Sequence, residues 1–130
     1  MIIIGHRFIP SDSFFHVPNI DAIKNTPPSS CIYLEFSEDN LETINHATKN
    51  NICLALSVKN TTEIVYASNL GASFIVVDKE LANSAQNIAN EYLFDAKILV
   101  SIENEDEIEE FAQESIDGVI FSNAIIKTPS

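Results

Sequence analysis

The stretch Asp117-Gly118-Val119-Ile120-Phe121-Ser122 contains the last of five apolar runs that recur along this chain at nearly constant spacing. Successive run centres are 21, 21, 23 and 21 residues apart, and they are Leu34, Ala55, Val76, Leu99 and Ile120. A parallel strand, its return helix and two short loops together take about 20 residues. The repeat therefore predicts βαβ units joined into a parallel sheet with helices on both sides.

The runs predict six strands, which are continuous and rich in Ile and Val, as expected of parallel strands covered on both faces. They span residues 2–4, 31–36, 52–58, 74–77, 97–102 and 119–121. Segment 8–30 interrupts the pattern, with four of the five prolines and a single short helical candidate at 20–24. We expect one α/β domain over residues 1–130. Its six or so mostly parallel strands form either a half-barrel or a flavodoxin-like three-layer arrangement.

Two of the intervening helices have recognisable start signals. Asn60 with Glu63, and Asn104 with Glu107, have the spacing of capping boxes, in which Asn replaces the usual Ser or Thr. Each pair therefore predicts a helix that begins just after a strand.

The charge of the chain excludes several partners. Seven basic and nineteen acidic residues give a formal net charge of −12, which disfavours binding to nucleic acids and to anionic membranes. Residues 103–117 contain eight carboxylates and no basic residue. This run lacks the alternating ligands and central glycine of a calcium loop, so we interpret it as a solvated helix face.

The expected compartment is the cytoplasm. The apolar start Met1-Ile2-Ile3-Ile4 is too short for a signal peptide, and no apolar run approaches the roughly 18 residues of a membrane span. Cys31 and Cys53 both lie in apolar runs. They could meet on neighbouring strands, but we expect buried free thiols, as is usual in intracellular proteins.

Polar residues follow the predicted strands, at the edge where parallel α/β sheets carry their sites. Alternation of side chains along the strands suggests that four of these residues converge on one pocket, namely Glu35, Lys59, Asp78 and Glu103. The competing interpretation is that strand ends are polar because they meet water, and that Asp78 is only a helix cap.

The stretch Ile3-Ile4-Gly5-His6-Arg7 resembles the His-Arg opening of glycerophosphodiester phosphodiesterases. Residues 98–104, an acidic helix and residues 117–120 likewise resemble the last two strands of that family. The resemblance implies a (β/α) barrel in which His6 is a catalytic acid/base, Arg7 holds phosphate and Glu35 contributes to a divalent metal site.

The chain departs from that family at several positions. Phe8 stands where the family has a glycine, and neither Tyr33 nor Ser37 completes a metal-binding acid pair with Glu35. No equivalent of the family's second catalytic histidine is present. The chain also has only about half the roughly 250 residues of a full barrel.

Residues 31–121 have spacing that is also similar to the phosphate-binding and keto-deoxy-phosphogluconate aldolase barrels. Glu35 is similar in placement to the acid on their second strand. However, the strand at 119–121 has no Schiff-base lysine, and Phe121-Ser122 replaces the expected phosphate-binding Gly-Ser. The resemblance therefore extends to the fold more than to the chemistry.

These observations favour a non-catalytic binding or protein-interaction module without a cofactor, which could form a homodimer through its apolar edge strands. The alternative is a minimal enzyme or sensor for a small phosphorylated metabolite. Its catalytic residues would be His6, Glu35 and Lys59. Arg7, Ser122 and Asn123 would bind the anion, and Glu35 with Asp78 would bind Mg²⁺ or Ca²⁺.

Overall fold

The computed structural model describes residues 1–128, which form a parallel sheet and four α-helices. The strands are β1 (Ile2–Ile4), β2 (Phe14–His16), β3 (Cys31–Glu35), β4 (Leu54–Ser57), β5 (Phe74–Val77), β6 (Lys97–Ile102), β7 (Gly118–Phe121) and β8 (Ile125–Lys127). The helices are α1 (Leu41–Lys49), α2 (Thr61–Asn69), α3 (Ala82–Glu91) and α4 (Ile108–Gln113). The strand order is β1-β7-β6-β5-β4-β3-β2-β8.

All six predicted strands are present, which confirms the α/β class and the parallel sheet. The predicted number of strands is too low by two, because the described part of the chain also contains β2 and β8. Each of these has three residues, too few to show a periodic pattern. The helical candidate at 20–24 forms a 3-10 helix at Asp21–Asn25.

The strand order selects the half-barrel over the flavodoxin-like arrangement. From β2 to β7 each strand pairs with the next one in the chain, so the winding direction never reverses as it does in a flavodoxin-like sheet. Right-handed crossovers in one direction place every return helix on the same face. The expectation of helices on both faces is therefore wrong.

The two faces of the sheet carry separate apolar layers. The outer layer combines strand residues such as Leu56 and Val100 with helix residues such as Ile44 and Phe111. The inner layer contains no residue from α1–α4 and consists of residues from the strands and the link after β7. Its buried members are Ile4, Phe14, Cys31, Ala55, Val76, Leu99, Ile120 and Ala124.

A three-residue link makes the sheet curl. β7 and β8 are separated only by a 3-10 turn at Ser122–Ala124, yet β7 pairs with β1 and β8 pairs with β2. The two ends of the strand order must therefore lie close together. Gly5 follows β1 and packs so tightly against this link that an added Cβ would lie 2.8 Å from the Ala124 Cβ.

Side-chain bonds and a close backbone contact fix the start of β7. Asp117 Oδ2 accepts the Ile98 N–H at 2.9 Å, and the Asp117 N–H donates to the buried Gln86 at 2.8 Å. A Cβ at Gly118 would lie 2.6 Å from the Ile2 carbonyl oxygen. Only glycine therefore lets β1 approach β7 this closely.

Both predicted pairs bond at a helix start, but only Asn104 with Glu107 forms a complete capping box, because Glu63 accepts from Lys59 and not from Asn60. Asn60 Oδ1 accepts the Glu63 N–H at 2.9 Å, and Glu63 accepts the Lys59 N–H. Glu107 Oε2 accepts the N–H groups of Glu103 and Asn104, both at 2.9 Å. This capping box holds the chain in place just after β6.

Cys31 and Cys53 form a disulfide, so the expectation of free thiols is wrong. Their Cα atoms lie 4.6 Å apart, because the two residues stand side by side where β3 and β4 begin and face the inner layer. Disulfides are rare in cytosolic proteins. The bond therefore weighs against the cytoplasmic location, which stays a prediction.

We expect removal of this disulfide to lower the free energy of unfolding by roughly 3 kcal/mol, because the bond closes a loop with a sequence separation of 22 residues. Urea unfolding of the Cys31→Ala/Cys53→Ala variant checks this. Reductant should destabilise the wild type and leave the double variant unchanged. Two reactive thiols in unreduced protein would contradict the bond.

All four helices end in the same way, with the second residue after the helix in the left-handed region. These residues are Asn51, Gly71, Leu93 and Ser115, with φ of 56°, 91°, 55° and 61°. Glycine and asparagine are the usual choices at this position. Leu93 and Ser115 depart from this preference, and Leu93 departs most, because it is a bulky apolar residue and is 85% exposed.

Leu93→Gly is therefore expected to raise the free energy of unfolding by about 1 kcal/mol, because glycine has no Cβ to oppose a positive φ. Leu93→Ala is the matched control, since it removes the exposed side chain but keeps the Cβ. Urea unfolding of the three proteins compares them. An equal gain in both variants would show that exposure, not backbone conformation, is the cause.

Candidate functional site

A cleft of about 670 Å³ opens at the carboxyl ends of β1, β7 and β6, which are neighbours in the sheet. Three segments form most of its wall: the loop after β1, the start of the capping box after β6, and the link after β7. The lining residues are Gly5, His6, Arg7, Ile9, Pro10, Ser11, Ser13, Glu103, Asn104, Glu105, Phe121, Asn123 and Ala124. This is the edge of the sheet at which the sequence predicts a site.

His6 is held by both of its ring nitrogens. Nδ1 accepts the Phe8 N–H at 3.1 Å, and Nε2 lies 2.6 Å from Glu105 Oε2. Because a backbone N–H can donate only to an unprotonated nitrogen, the proton of the neutral imidazole is on Nε2 and is donated to Glu105. The side chain is 10% exposed and its ring packs against Phe121 at 5.7 Å.

Arg7 reaches the same carboxylate. Its Nη1 lies 3.5 Å from Glu105 Oε2, and its guanidinium carbon lies 4.5 Å from the centroid of the Phe8 ring. The side chains of Arg7 and Glu105 are 68% and 53% exposed. Such an open ion pair contributes little stability and is easily exchanged.

His6 and Arg7 both change the pKa of Glu105. The hydrogen bond from His6 and, to a lesser extent, the positive charge of Arg7 lower the pKa of the Glu105 carboxyl. Glu105 therefore stays ionised to lower pH than an ordinary glutamate.

A second carboxylate, that of Glu103, lines the cleft two residues before Glu105. Glu103 Oε2 accepts the hydroxyl proton of Ser122 at 2.9 Å, so this proton is already used within the protein. Asn123 follows Ser122 and lines the cleft. Of the three residues predicted to bind an anion, Arg7 and Asn123 line the cleft, and Ser122 is hydrogen-bonded to the lining residue Glu103.

The other predicted residues lie elsewhere along the edge. Glu35, Lys59 and Asp78 follow β3, β4 and β5, and none of them lines the cleft. The predicted pocket of Glu35, Lys59, Asp78 and Glu103 is therefore not assembled in this cleft, since the first three residues follow strands that lie beyond β6 in the strand order.

Tyr33 marks a second polar region, near Glu35 and Asp78. Burial raises the pKa of the Tyr33 phenol, the negative charges of Glu35 and Asp78 raise it further, and a hydrogen bond with Ser57 partly offsets the rise. The His16 ring packs edge-on against Tyr33 at 5.3 Å.

Among residues 1–128, no three His, Cys, Asp or Glu side chains are grouped closely enough to hold a metal ion. The metal site at Glu35 and Asp78 stays a prediction.

Sequence reasoning missed the residues that contact His6 and Arg7. Phe8 was visible only as a departure from the phosphodiesterase pattern, and Glu105 was part of the acidic run that we interpreted as a solvated helix face. A signal was nonetheless present, because Glu105 lies three residues after the end of β6. It is therefore at the same edge of the sheet as the His-Arg pair.

No model of a known family matches this chain, and no curated protein matches it. The resemblance to glycerophosphodiester phosphodiesterases therefore remains a resemblance in the residues quoted above.

None of the helices described within residues 1–128 has the length and apolar character of a membrane span.

We expect His6→Phe to raise the pKa of Glu105 and Arg7→Gln to raise it less, because the hydrogen bond from His6 has the larger effect on this carboxyl. A ¹³C NMR titration of the Glu105 carboxyl measures both changes. The lowered pKa stabilises the folded protein at pH values above the pKa that Glu105 has in the unfolded chain. This contribution disappears as the pH falls through the pKa of Glu105 in the folded protein. A larger shift in Arg7→Gln would reverse the assigned causes.

Proposed function

We propose that this protein is a non-catalytic binding domain that holds a small molecule in the cleft formed by the ends of β1, β7 and β6. The observation that carries the proposal is the state of His6, whose two ring nitrogens are both engaged inside the protein. A general base needs a free nitrogen within reach of the substrate proton. His6 instead fixes the loop after β1 to Glu105, and thereby shapes one wall of the cleft.

The size and lining of the cleft support a small ligand. Its volume falls within the range of ordinary ligand pockets, roughly 300–1,000 Å³. The wall combines apolar side chains, such as Ile9 and Phe121, with polar groups that would orient a ligand, such as Ser13 and Asn123. This mixture is typical of pockets for small molecules.

The second candidate is an enzyme or sensor for a small phosphorylated metabolite. It is favoured by one observation, namely that His6, Arg7 and Asn123 line the same cleft. Three features oppose it: Glu35 and Lys59 do not line the cleft, Ser122 donates its proton to Glu103, and the lining includes two carboxylates. Homodimerisation through the edge strands also stays a prediction.

An NMR screen of a small-molecule fragment library is expected to find ligands that shift the amide signals of Gly5, Ser11 and Asn123. Asn123→Trp should abolish these shifts, because the larger side chain fills the cleft without changing its charge. Asn45→Trp is the matched control on the exposed face of α1. Ligands that bind both tryptophan variants equally would contradict a site in the cleft.

Catalysis is tested with bis(p-nitrophenyl) phosphate in the presence of Mg²⁺ or Ca²⁺. We expect no hydrolysis that depends on His6, since the ring has no free nitrogen. Hydrolysis by the wild type that is lost in His6→Ala would overturn the non-catalytic proposal and support the second candidate.

A further inference from the structure

We propose that the cleft takes a small organic ammonium ion and not a phosphate, an inference that rests on the proposed binding function. The proposal follows from how the charged groups in the cleft are already paired. With histidine counted as neutral, the formally charged residues among the described residues that line it are Arg7, Glu103 and Glu105.

Arg7 and Glu105 offset each other's charge. The guanidinium and the Glu105 carboxylate are in contact at 3.5 Å, and the same oxygen also accepts from His6. Glu103 is bonded to the neutral hydroxyl of Ser122 and carries the charge that remains. The lining residues thus have a net charge of −1, within a chain whose formal charge is −12. A phosphate would be repelled here, while a cation would be attracted.

Glu103 is held in position by hydrogen bonds from both its backbone and its side chain. Its backbone N–H donates to Glu107 at 2.9 Å, and its carboxylate accepts from Ser122 at 2.9 Å. The Ser122 bond uses Oε2, so Oε1 is available as an acceptor for an ammonium group. A preorganised carboxylate of this kind binds a cation without a further loss of side-chain freedom.

The aromatic and apolar walls suit the organic part of such a ligand. Phe121 is the aromatic residue in the lining, while the ring of Phe8 lies outside the lining and is already covered by the Arg7 guanidinium at 4.5 Å. Ring faces attract organic cations. Ile9 and Pro10 provide apolar surface for a short alkyl chain. The ligand class is therefore a primary ammonium on a short alkyl chain.

The test is an NMR titration of the wild-type protein with four probes that share one alkyl chain: n-butylammonium, n-butyl phosphate, butyrate and 1-butanol. We expect n-butylammonium to bind most tightly and to shift the cleft amides. Glu103→Gln should weaken its binding by about tenfold, the effect of losing one hydrogen bond to a charged group. Glu110→Gln, on α4 and outside the cleft, makes the same charge change and should leave binding unchanged.

Two further variants separate this inference from its alternatives. Ser122→Ala keeps the Glu103 charge but frees its side chain, so it should weaken n-butylammonium binding less than Glu103→Gln does, which separates loss of the charge from loss of the bond between the two residues. Arg7→Gln removes the competing cation and should leave ammonium binding equal or stronger. Tighter binding of n-butyl phosphate, lost in Arg7→Gln, would overturn the ammonium proposal and leave the binding function intact.

Equal losses in Glu103→Gln and Glu110→Gln would also overturn the ammonium proposal, since they would show attraction to the overall negative charge. If none of the four probes and no library fragment shifts the cleft amides, the binding function itself fails. The two failures are therefore distinguishable.

Discussion

The short covalent link between β7 and β8 is the constraint on which the rest of this fold depends. Ser122–Ala124 joins β7, which lies next to one end of the strand order, to β8, which is the strand at the other end. Three residues span at most about 10 Å, so an open, flat eight-stranded sheet is impossible. The sheet has to curl, and its first strand has to end against the link. This is why Gly5 meets Ala124 and why a cleft forms at that point.

Curling also determines how the two faces are filled. Helices cover the convex face, while the concave face must be filled by side chains from the strands and the link. Small residues such as Ala55 and the disulfide of Cys31 with Cys53 occupy part of this inner layer, beside the paired rings of Phe14 and Phe74. Mixing small and large side chains is the usual way to fill a narrow, curved interior.

The sequence was sufficient to predict the strands but not their arrangement. Spacing near 21 residues reflects the length of one strand with its helix, and this length is the same in singly and doubly wound sheets. The choice between them depends on the order in which the strands pair, which the spacing does not encode. β2 and β8 escaped prediction although β1 is equally short, because β1 consists of three Ile residues, whereas β2 and β8 each include a polar residue, His16 or Lys127.

The candidate site was predictable to a similar degree. The expectation that sites lie at the carboxyl ends of parallel strands singled out His6, Arg7 and Asn123, and all three line the cleft, because they lie just after strands that are neighbours in the sheet. It grouped Glu35, Lys59 and Asp78 with them because every strand of a parallel sheet ends at the same edge. Only the curl shows which ends face each other. The partner of His6 was hidden for another reason, since Glu105 is one of eight carboxylates within fifteen residues.

The bonds of the His-Arg pair are the main argument for the proposed non-catalytic function, despite the resemblance of this pair to that of phosphodiesterases. A catalytic histidine needs a free nitrogen and a phosphate-binding arginine needs a free guanidinium. Phe8 stands where that family has a glycine, and its N–H and ring contact His6 and Arg7 respectively. Glu105 then binds the remaining side of both groups. In the proposed binding function, the pair holds the loop after β1, and Glu103 carries the carboxylate charge of the cleft that Arg7 does not offset.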